Sequence, residues 1–334
     1  MNLMLTSVGR RAYMVKYFKE VLGNDGKVYV CNSDDKSIAF KYADEKVISP
    51  LIYDESYIPF LLDYCQKNAI DIVISLFDID LLMLARHKKE FEEIGTEVIV
   101  SDPQIIEVCN DKWKTYNFLK DNGFHAPLSF LNMDQVIDKI ATGELSYPIV
   151  VKPRYGCGSI SVAIAYDEED LQYLTKKANE DIANSYLKYE SAVAEEKVIY
   201  QECLKGQEYG ADIINDFHGE TQNVIIRKKL AMRSGETDIA QLVDEPIIKD
   251  ELFLLGKITK HIANMDCDVF LLDGVPYVLE MNARFGGGYP FSHMGGCNLP
   301  KAIVDWARGK NVEKSVISAK TGITGYKEIY ITEI

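Results

Sequence analysis

The stretch Asp268-Val269-Phe270-Leu271-Leu272-Asp273-Gly274-Val275-Pro276-Tyr277-Val278-Leu279-Glu280-Met281-Asn282-Ala283-Arg284 sets two apolar runs around an Asp-Gly turn signal, the pattern of a β-hairpin. Residues two apart on a strand share a face, so Glu280, Asn282 and Arg284 point together out of an otherwise apolar strand. A core strand has little reason to carry three such groups on one side. A three-residue turn over 273–275 places Asp268 directly across from Glu280, whereas a two-residue turn places it on the other face. In the first register two carboxylates and an amide oxygen meet, a hard-oxygen set suited to Mg²⁺. Arg284 then offers a rigid fork of donors to a transferring phosphoryl group or an oxyanion. An edge strand with its polar side in water is the plainer alternative.

Upstream, Val150-Val151-Lys152-Pro153-Arg154-Tyr155-Gly156-Cys157-Gly158-Ser159 reads as a buried strand (149–151) delivering a lysine and then a flexible loop. Small residues let backbone N–H groups approach phosphate oxygens, and the lysine adds a point charge. The order does not fit a Walker A loop: Gly-Lys-Ser/Thr is missing, and residues 161–165 read as a strand. A glycine loop between two strands serves as a lid over phosphates, or as an ordinary hairpin beside a surface lysine. Farther on, the strand-like 198–201 ends in Gln201-Glu202 and is followed by Gly206 and Glu208. These could supply a purine-edge contact and a ribose-hydroxyl acceptor, or be solvated acidic residues.

Three further segments are candidates for holding substrate. Arg227, Lys229 and Arg233 lie in a basic stretch that attracts a carboxylate or phosphates if it faces the cleft, and is a solvated face if it does not. The glycine-rich 285–296 lets backbone amides near Gly287 reach a small ligand, with His293 beside it, although a lone histidine is more often structural. Near the start, Thr6-Ser7-Val8-Gly9-Arg10-Arg11 follows the first strand and opens a helix, so its amides with Arg10 and Arg11 could receive an anionic acceptor.

Short apolar runs and amphipathic stretches alternate over 2–101: 3–6, a helical face through Met14, Tyr17, Phe18 and Val21, 28–31, 58–65, 70–76, 81–91 and 97–100. That β-α-β-α order calls for a parallel sheet with helices on its faces. Residues 111–122 read as a helix ended by Gly123, and 252–263 as another. With 37 Lys+Arg against 51 Asp+Glu in 334 residues, the net charge of -14 argues against nucleic acid or an anionic membrane as main partner. No run approaches the roughly 20 apolar residues of a membrane span. Arg10 and Arg11 fall where a signal peptide needs its apolar core, so a cytoplasmic protein is expected. Seven scattered cysteines without a Cys-x-x-Cys pair are expected to be reduced, mostly buried, small apolar residues.

Taken in order, Asn110-Asp111-Lys112, Lys152 before the loop 156–159, Gln201-Glu202 with Glu208, Asp268, and Glu280-Met281-Asn282-Ala283-Arg284 resemble the ATP-grasp superfamily over residues 110–310. They are most similar to its carbamoyl phosphate synthetase large-subunit and biotin carboxylase branch. That branch usually carries Glu-x-Asn-Pro-Arg; Ala283 stands here for the proline, a change to backbone stiffness more than to chemistry. The resemblance implies an α/β and α+β chain: an ATP-grasp fold preceded by a parallel, Rossmann-like α/β domain. Its parts would be residues 1–110, a central lid subdomain with the Gly loop (111–200), and a C-terminal subdomain with the metal hairpin (201–334). It also implies that Lys112 and Lys152 contact ATP phosphates or the adenine edge, while Gly156, Gly158 and Ser159 fold over the β- and γ-phosphates. Gln201, Glu202 and the backbone near Leu204 would meet adenine, and Glu208 the ribose. Asp268, Glu280 and Asn282 would hold Mg²⁺, as two ions, with Arg284 and Lys152 acting on the transferred phosphoryl group.

The implied chemistry is phosphorylation of a small carboxylate by ATP, with transfer of the acyl group to an amine. Bicarbonate activation is the rival within the branch, although carbamoyl phosphate synthesis uses two such catalytic halves and this chain has room for one. A nicotinamide-binding oxidoreductase is disfavoured because Gly9 stands alone where Gly-x-Gly-x-x-Gly is needed. A module that only binds nucleotide would be expected to lose metal ligands first, and all are present. Small-molecule partners are expected, and a homodimer is left open.

Overall fold

The structure is a computed structural model that describes residues 1–156, 158 and 160–333; Cys157 and the candidate Ser159 lie outside the described residues. Strands β1 (Asn2–Thr6), β2 (Lys27–Asn32), β3 (Glu45–Ile48), β4 (Ile72–Ser75) and β5 (Glu97–Val98) form a parallel sheet in the order β3-β2-β1-β4-β5. The central strands are buried on both faces, which is why they read as unbroken apolar runs. The sequence analysis missed β3, whose Glu45, Lys46 and Ile48 are exposed at the sheet edge and give no apolar run. Its charged residues also protect that edge from pairing with another chain. The strand order reverses between β1 and β4, so the loop after β1 lies at the switch point where open α/β sheets receive ligands.

A second, antiparallel sheet in the order β6-β9-β7-β8 joins β6 (Ser129–Phe130), β7 (Ile149–Pro153), β8 (Ala163–Ala165) and β9 (Val198–Glu202). Its core, with Val136, Ile149, Leu171 and Tyr200, is separate from the rest. The third sheet, β14-β13-β10-β11-β12-β15, comprises β10 (Gln207–Asn215), β11 (Thr221–Arg233), β12 (Glu236–Val243), β13 (Ala263–Leu272), β14 (Val275–Asn282) and β15 (Thr324–Tyr326). Two continuous cores run from the first sheet into the third: one joins Leu61 and Val73 to Met265 and Val278, the other Leu5 and Phe18 to Tyr289 and Ile303. The first and third sheets therefore form one packed unit, and the second, with a core of its own, is a separate unit, the expected lid.

Two local readings are corrected. The helix expected over 252–263 instead spans Pro246–Thr259, because Lys260 turns into the left-handed region at φ 47° and β13 begins at Ala263. The hairpin turn has two residues, Asp273 and Gly274, both at positive φ (48° and 80°), with Leu272 paired to Val275. Asp268 nevertheless pairs with Glu280, because Leu279 forms a β-bulge that shifts the register by one residue. No helix among the described residues is long and apolar enough to cross a membrane.

Asp111 joins the lid to the rest of the chain. It caps the helix Lys112–Asp121, accepting from Trp113 N at 3.0 Å, and takes a fork from Arg154 Nε and Nη2 at 2.8 and 2.7 Å. Lys112 follows immediately, its N–H donating to Arg154 O at 3.1 Å, so the cap sets where that lysine emerges. Asp111→Ala loses the cap and leaves Arg154 without its buried partner; we expect a loss of about 2–4 kcal/mol in urea unfolding.

Candidate active site

The hairpin supplies one wall. Opposed residues on neighbouring strands share a face, so Asp268 and Glu280 stand side by side, and the next rung on that face pairs Asp266 with Asn282. Neither Glu280 nor the Asn282 side chain has a hydrogen-bond or ion-pair partner among the described residues. Asp268 Oδ1 meets Lys229 Nζ at 2.7 Å, and Lys229 also reaches Glu208 Oε1 at 2.6 Å. Burial pushes the Asp268 carboxyl up to about 6; Lys229 pulls it back while Asp266, Glu208 and Glu280 add to the rise. Asp268 and Glu208 share Lys229, while Glu280 has no ion pair among the described residues. Two carboxylates and an amide oxygen on one face are the donor set a hard divalent cation takes when phosphates supply the remaining ligands.

The lid supplies the other wall. Lys152, at the end of β7, is buried and donates to Gln201 Oε1 at 2.7 Å; Gln201 in turn donates to Ser129 Oγ at 3.0 Å. Burial and the neighbouring Lys112 lower the Lys152 ammonium to about 8. Lys112 Nζ donates to Gly156 O at 2.5 Å, fixing the start of the glycine loop. Gly156 has φ 93°, and a Cβ there would come within 2.2 Å of Leu187, so a side chain is excluded twice over. Lys112, Lys152, Gly156, Gly158, Glu208, Asp268 and Glu280 enclose a cavity of about 250 Å³. Glu202 and Leu204 border a different cavity with Cys203 and Lys205, and Glu202 Oε2 accepts from Leu128 N at 3.1 Å.

The first cavity shares Asp268, Glu280 and Lys229 with a second, of about 440 Å³, walled by Arg10, Arg11, Arg227, Asn282, Arg284 and Gly287 among others. Of the substrate candidates, Arg10, Arg11, Arg227, Lys229 and Gly287 are thus brought together, whereas Arg233 and His293 are not. Arg233 binds Asp238 and Lys327 O at the rim of the sheet. His293 stacks on Tyr17 with centroids 3.7 Å apart, a packing role between the first and third units. The glycines at 286–288 were expected to open the backbone to a ligand; their main constraint is packing. A Cβ at Gly286 would lie 2.1 Å from Asp266, and one at Gly288 2.1 Å from Arg227.

Sequence reasoning missed the residues that hold these groups in place. Arg227 is fully buried between Asp212 and Asp266, both at 2.5 Å. Arg284 reaches Asp266 at 3.3 Å and forks onto Asp78 Oδ2 at 3.1 and 2.9 Å. The alternations Asp266-x-Asp268 and Asp78-x-Asp80 were the available signals. Buried Asp80 accepts from Thr6 Oγ1 (2.9 Å), Ser7 Oγ (2.8 Å), Tyr57 OH (3.0 Å) and Ser75 Oγ, and burial raises its carboxyl. It thereby fixes the turn after β1, where Ser7 is left-handed at φ 51°.

A pattern described as an ATP-grasp domain matches residues 109–288, and one described as a PylC-like N-terminal domain matches 3–99. The D-alanine–D-alanine ligase of Bacillus anthracis is 25% identical over 285 residues, covering 76% of this chain and 84% of that protein. The carbamoyl phosphate synthase large chain of Mesorhizobium japonicum is 22% identical over 282 residues, covering 78% of this chain but 24% of its own length. Among solved structures, the biotin carboxylase domain dimer of Hydrogenobacter thermophilus 2-oxoglutarate carboxylase, determined with MgADP and bicarbonate, superposes with a TM-score of 0.72. It is 18% identical and covers 93% of this chain and 70% of that one. With more than half its length inside the matched domain, the chain belongs to the ATP-grasp family, as an ATP-dependent enzyme of the carboxylate–amine ligase class.

Two outcomes follow from this geometry. Arg227→Met leaves Asp212 and Asp266 buried against each other, and we expect a loss of about 3–5 kcal/mol in urea unfolding. Lys152 must be protonated to attract phosphate, and its folded value near 8 lies below the unfolded one, so raising pH discharges it in the native protein first. Nucleotide affinity should be level below pH about 8 and fall toward about tenfold per unit above it. Calorimetry in buffers of different ionisation enthalpy should show proton uptake on binding near pH 8.5, because phosphate raises the lysine again.

Proposed function

We propose that the protein phosphorylates a small carboxylate with ATP and passes the resulting acyl group to an amine. The observation that carries this reading is the juxtaposition of Asp268 and Glu280 with Lys112 and Lys152 in one cavity that opens directly onto a second. The nucleotide is ATP and the ion is magnesium. Asp268, Glu280 and Asn282 would hold the metal, which supplies charge neutralisation at the phosphates. Lys152, with Lys112, is placed to hold phosphate oxygens, and Glu208 faces the same space. We assign the purine to the end of the first cavity beyond Lys152 and its partner Gln201, and not to Glu202 and Leu204, which border another cavity.

In the first step a carboxylate oxygen attacks the γ-phosphorus and ADP leaves; in the second the amine nitrogen attacks the acyl carbon, phosphate leaves, and the nitrogen sheds a proton. Phosphoryl transfer asks for positioning and charge more than for acid–base work. Arg284, held by Asp78 and Asp266, is a preorganised donor for the oxyanion of the second step. The lid, on its own core, excludes water from the acyl phosphate when closed. The six described cysteines are free and five are buried, in keeping with a reducing cytoplasm.

The test is ADP release from Mg-ATP with pools of small carboxylates, each with and without amines. Release that requires one acid and one amine is the expected result. Release with bicarbonate alone would point to the carbamoyl-phosphate type of reaction. Nucleotide binding without release in any pool would overturn the ligase reading. Glu280→Gln should fold normally, by circular dichroism, yet lose at least about 100-fold in turnover; near-normal turnover would remove its metal role.

A further inference from the structure

The second cavity has an uneven charge pattern. Three of its cations are matched by carboxylates: Arg227 by Asp212 and Asp266, Lys229 by Glu208 and Asp268, Arg284 by Asp78 and Asp266. Arg10 and Arg11 have no carboxylate at ion-pair distance among the described residues, and the Arg11 guanidinium donates to the carbonyl of Leu76. Net positive charge is therefore concentrated on the turn after β1, held in place by buried Asp80. In the same wall stands Glu236, at the start of β12. Its carboxylate takes Lys327 Nζ at 3.1 Å, from just past β15, the strand that extends the sheet beyond the matched domain. Burial would push the Glu236 carboxyl up, but Lys327, Arg10 and Arg11 outweigh it and hold it below its usual range. The two arginines thus lie within electrostatic reach of Glu236.

An ion pair whose carboxylate is half exposed adds little to stability, so Glu236–Lys327 is poorly explained as a structural clamp. Gly287 lies beside Glu236 in the same wall. The cavity, at about 440 Å³, has room for an acceptor of amino-acid size beside the activated acid. Resting on the ligase reading above, we propose that the amine acceptor is an amino acid or a close zwitterionic analogue. Its acid group is read by Arg10 and Arg11; its ammonium is drawn in by Glu236, oriented by Lys327, and sheds one proton to solvent, so that the free amine attacks the acyl carbon. Glu236 and Arg10 are then the specificity-determining residues and Lys327 a positioning residue.

The experiment uses the full chain with Mg-ATP and three sets of acceptors: pooled amino acids, the corresponding decarboxylated amines, and ammonium chloride, each with the carboxylate pools. ADP release is followed, and ATP affinity is titrated separately. Release should require an amino acid acceptor. Glu236→Gln and Arg10→Gln should raise the acceptor KM at least about tenfold, with ATP affinity unchanged within about twofold. Lys327→Met should raise the acceptor KM less and leave kcat near normal. Equal release with ammonium chloride or decarboxylated amines, or an unchanged acceptor KM in Glu236→Gln, would overturn the proposal while leaving the ligase reading intact. ATP binding without release in any set would overturn both.

Discussion

A buried chain of alternating charges, Asp212–Arg227–Asp266–Arg284–Asp78, organises the centre of this protein. It begins on β10, crosses β11 and β13, and ends on the helix Asp78–Arg86 of the first unit. Burying an ion is costly unless partners offset it. Once one member is fixed, the others are constrained to meet it. The network therefore sets where Arg284 can point and how the first and third sheets are related. Its space requirements explain sequence features that look unconnected to it: Gly210 and Gly288 lie against the Arg227 guanidinium, and Gly286 against the Asp266 carboxylate, where any side chain would collide.

The site is built from two parts with separate cores. Asp268, Glu280, Asn282 and Arg284 belong to the packed unit formed by the first and third sheets, whereas Lys152 and the glycine loop belong to the second sheet, which has its own small core. On the proposed ligase reading, the groups that would hold charge in the transition state are preorganised in the first part, and those that would grip nucleotide are carried on the second. In the structure the lid touches the first unit through Tyr53 and Tyr189, stacked at 4.4 Å, and through Tyr53 OH donating to Glu190 Oε1 at 2.9 Å. These are polar and aromatic contacts at the surface, suited to being made and broken.

Much was legible in the sequence because periodicity reports burial. The parallel sheet showed itself in unbroken apolar runs, and Glu280, Asn282 and Arg284 stood out as polar groups at period two in an apolar strand. Edge strand β3 was invisible for the same reason, having little buried surface to mark it. The register of the hairpin turned on a bulge at Leu279: the pairing of Asp268 with Glu280 was correctly anticipated under a three-residue turn, but is produced by a two-residue turn and the bulge together. A bulge leaves almost no trace in the order of residues.

By itself, then, the sequence determined the class of fold, the order of the units and the face that carries Glu280 and Asn282, because each rests on local pattern and on residues close in the chain. Tertiary structure decided which charges are spent on the fold and which are left for a ligand. Arg227, Arg233 and Arg10 look alike in sequence. One is fully buried between two carboxylates, one is tied to Asp238 at the sheet rim, and one faces the cavity with no ion-pair partner among the described residues. The carboxylates responsible lie 5 to 39 residues from their arginines, and Asp78 lies 206 residues from Arg284. Whether a charge is neutralised depends on distance in space, which only the folded chain defines.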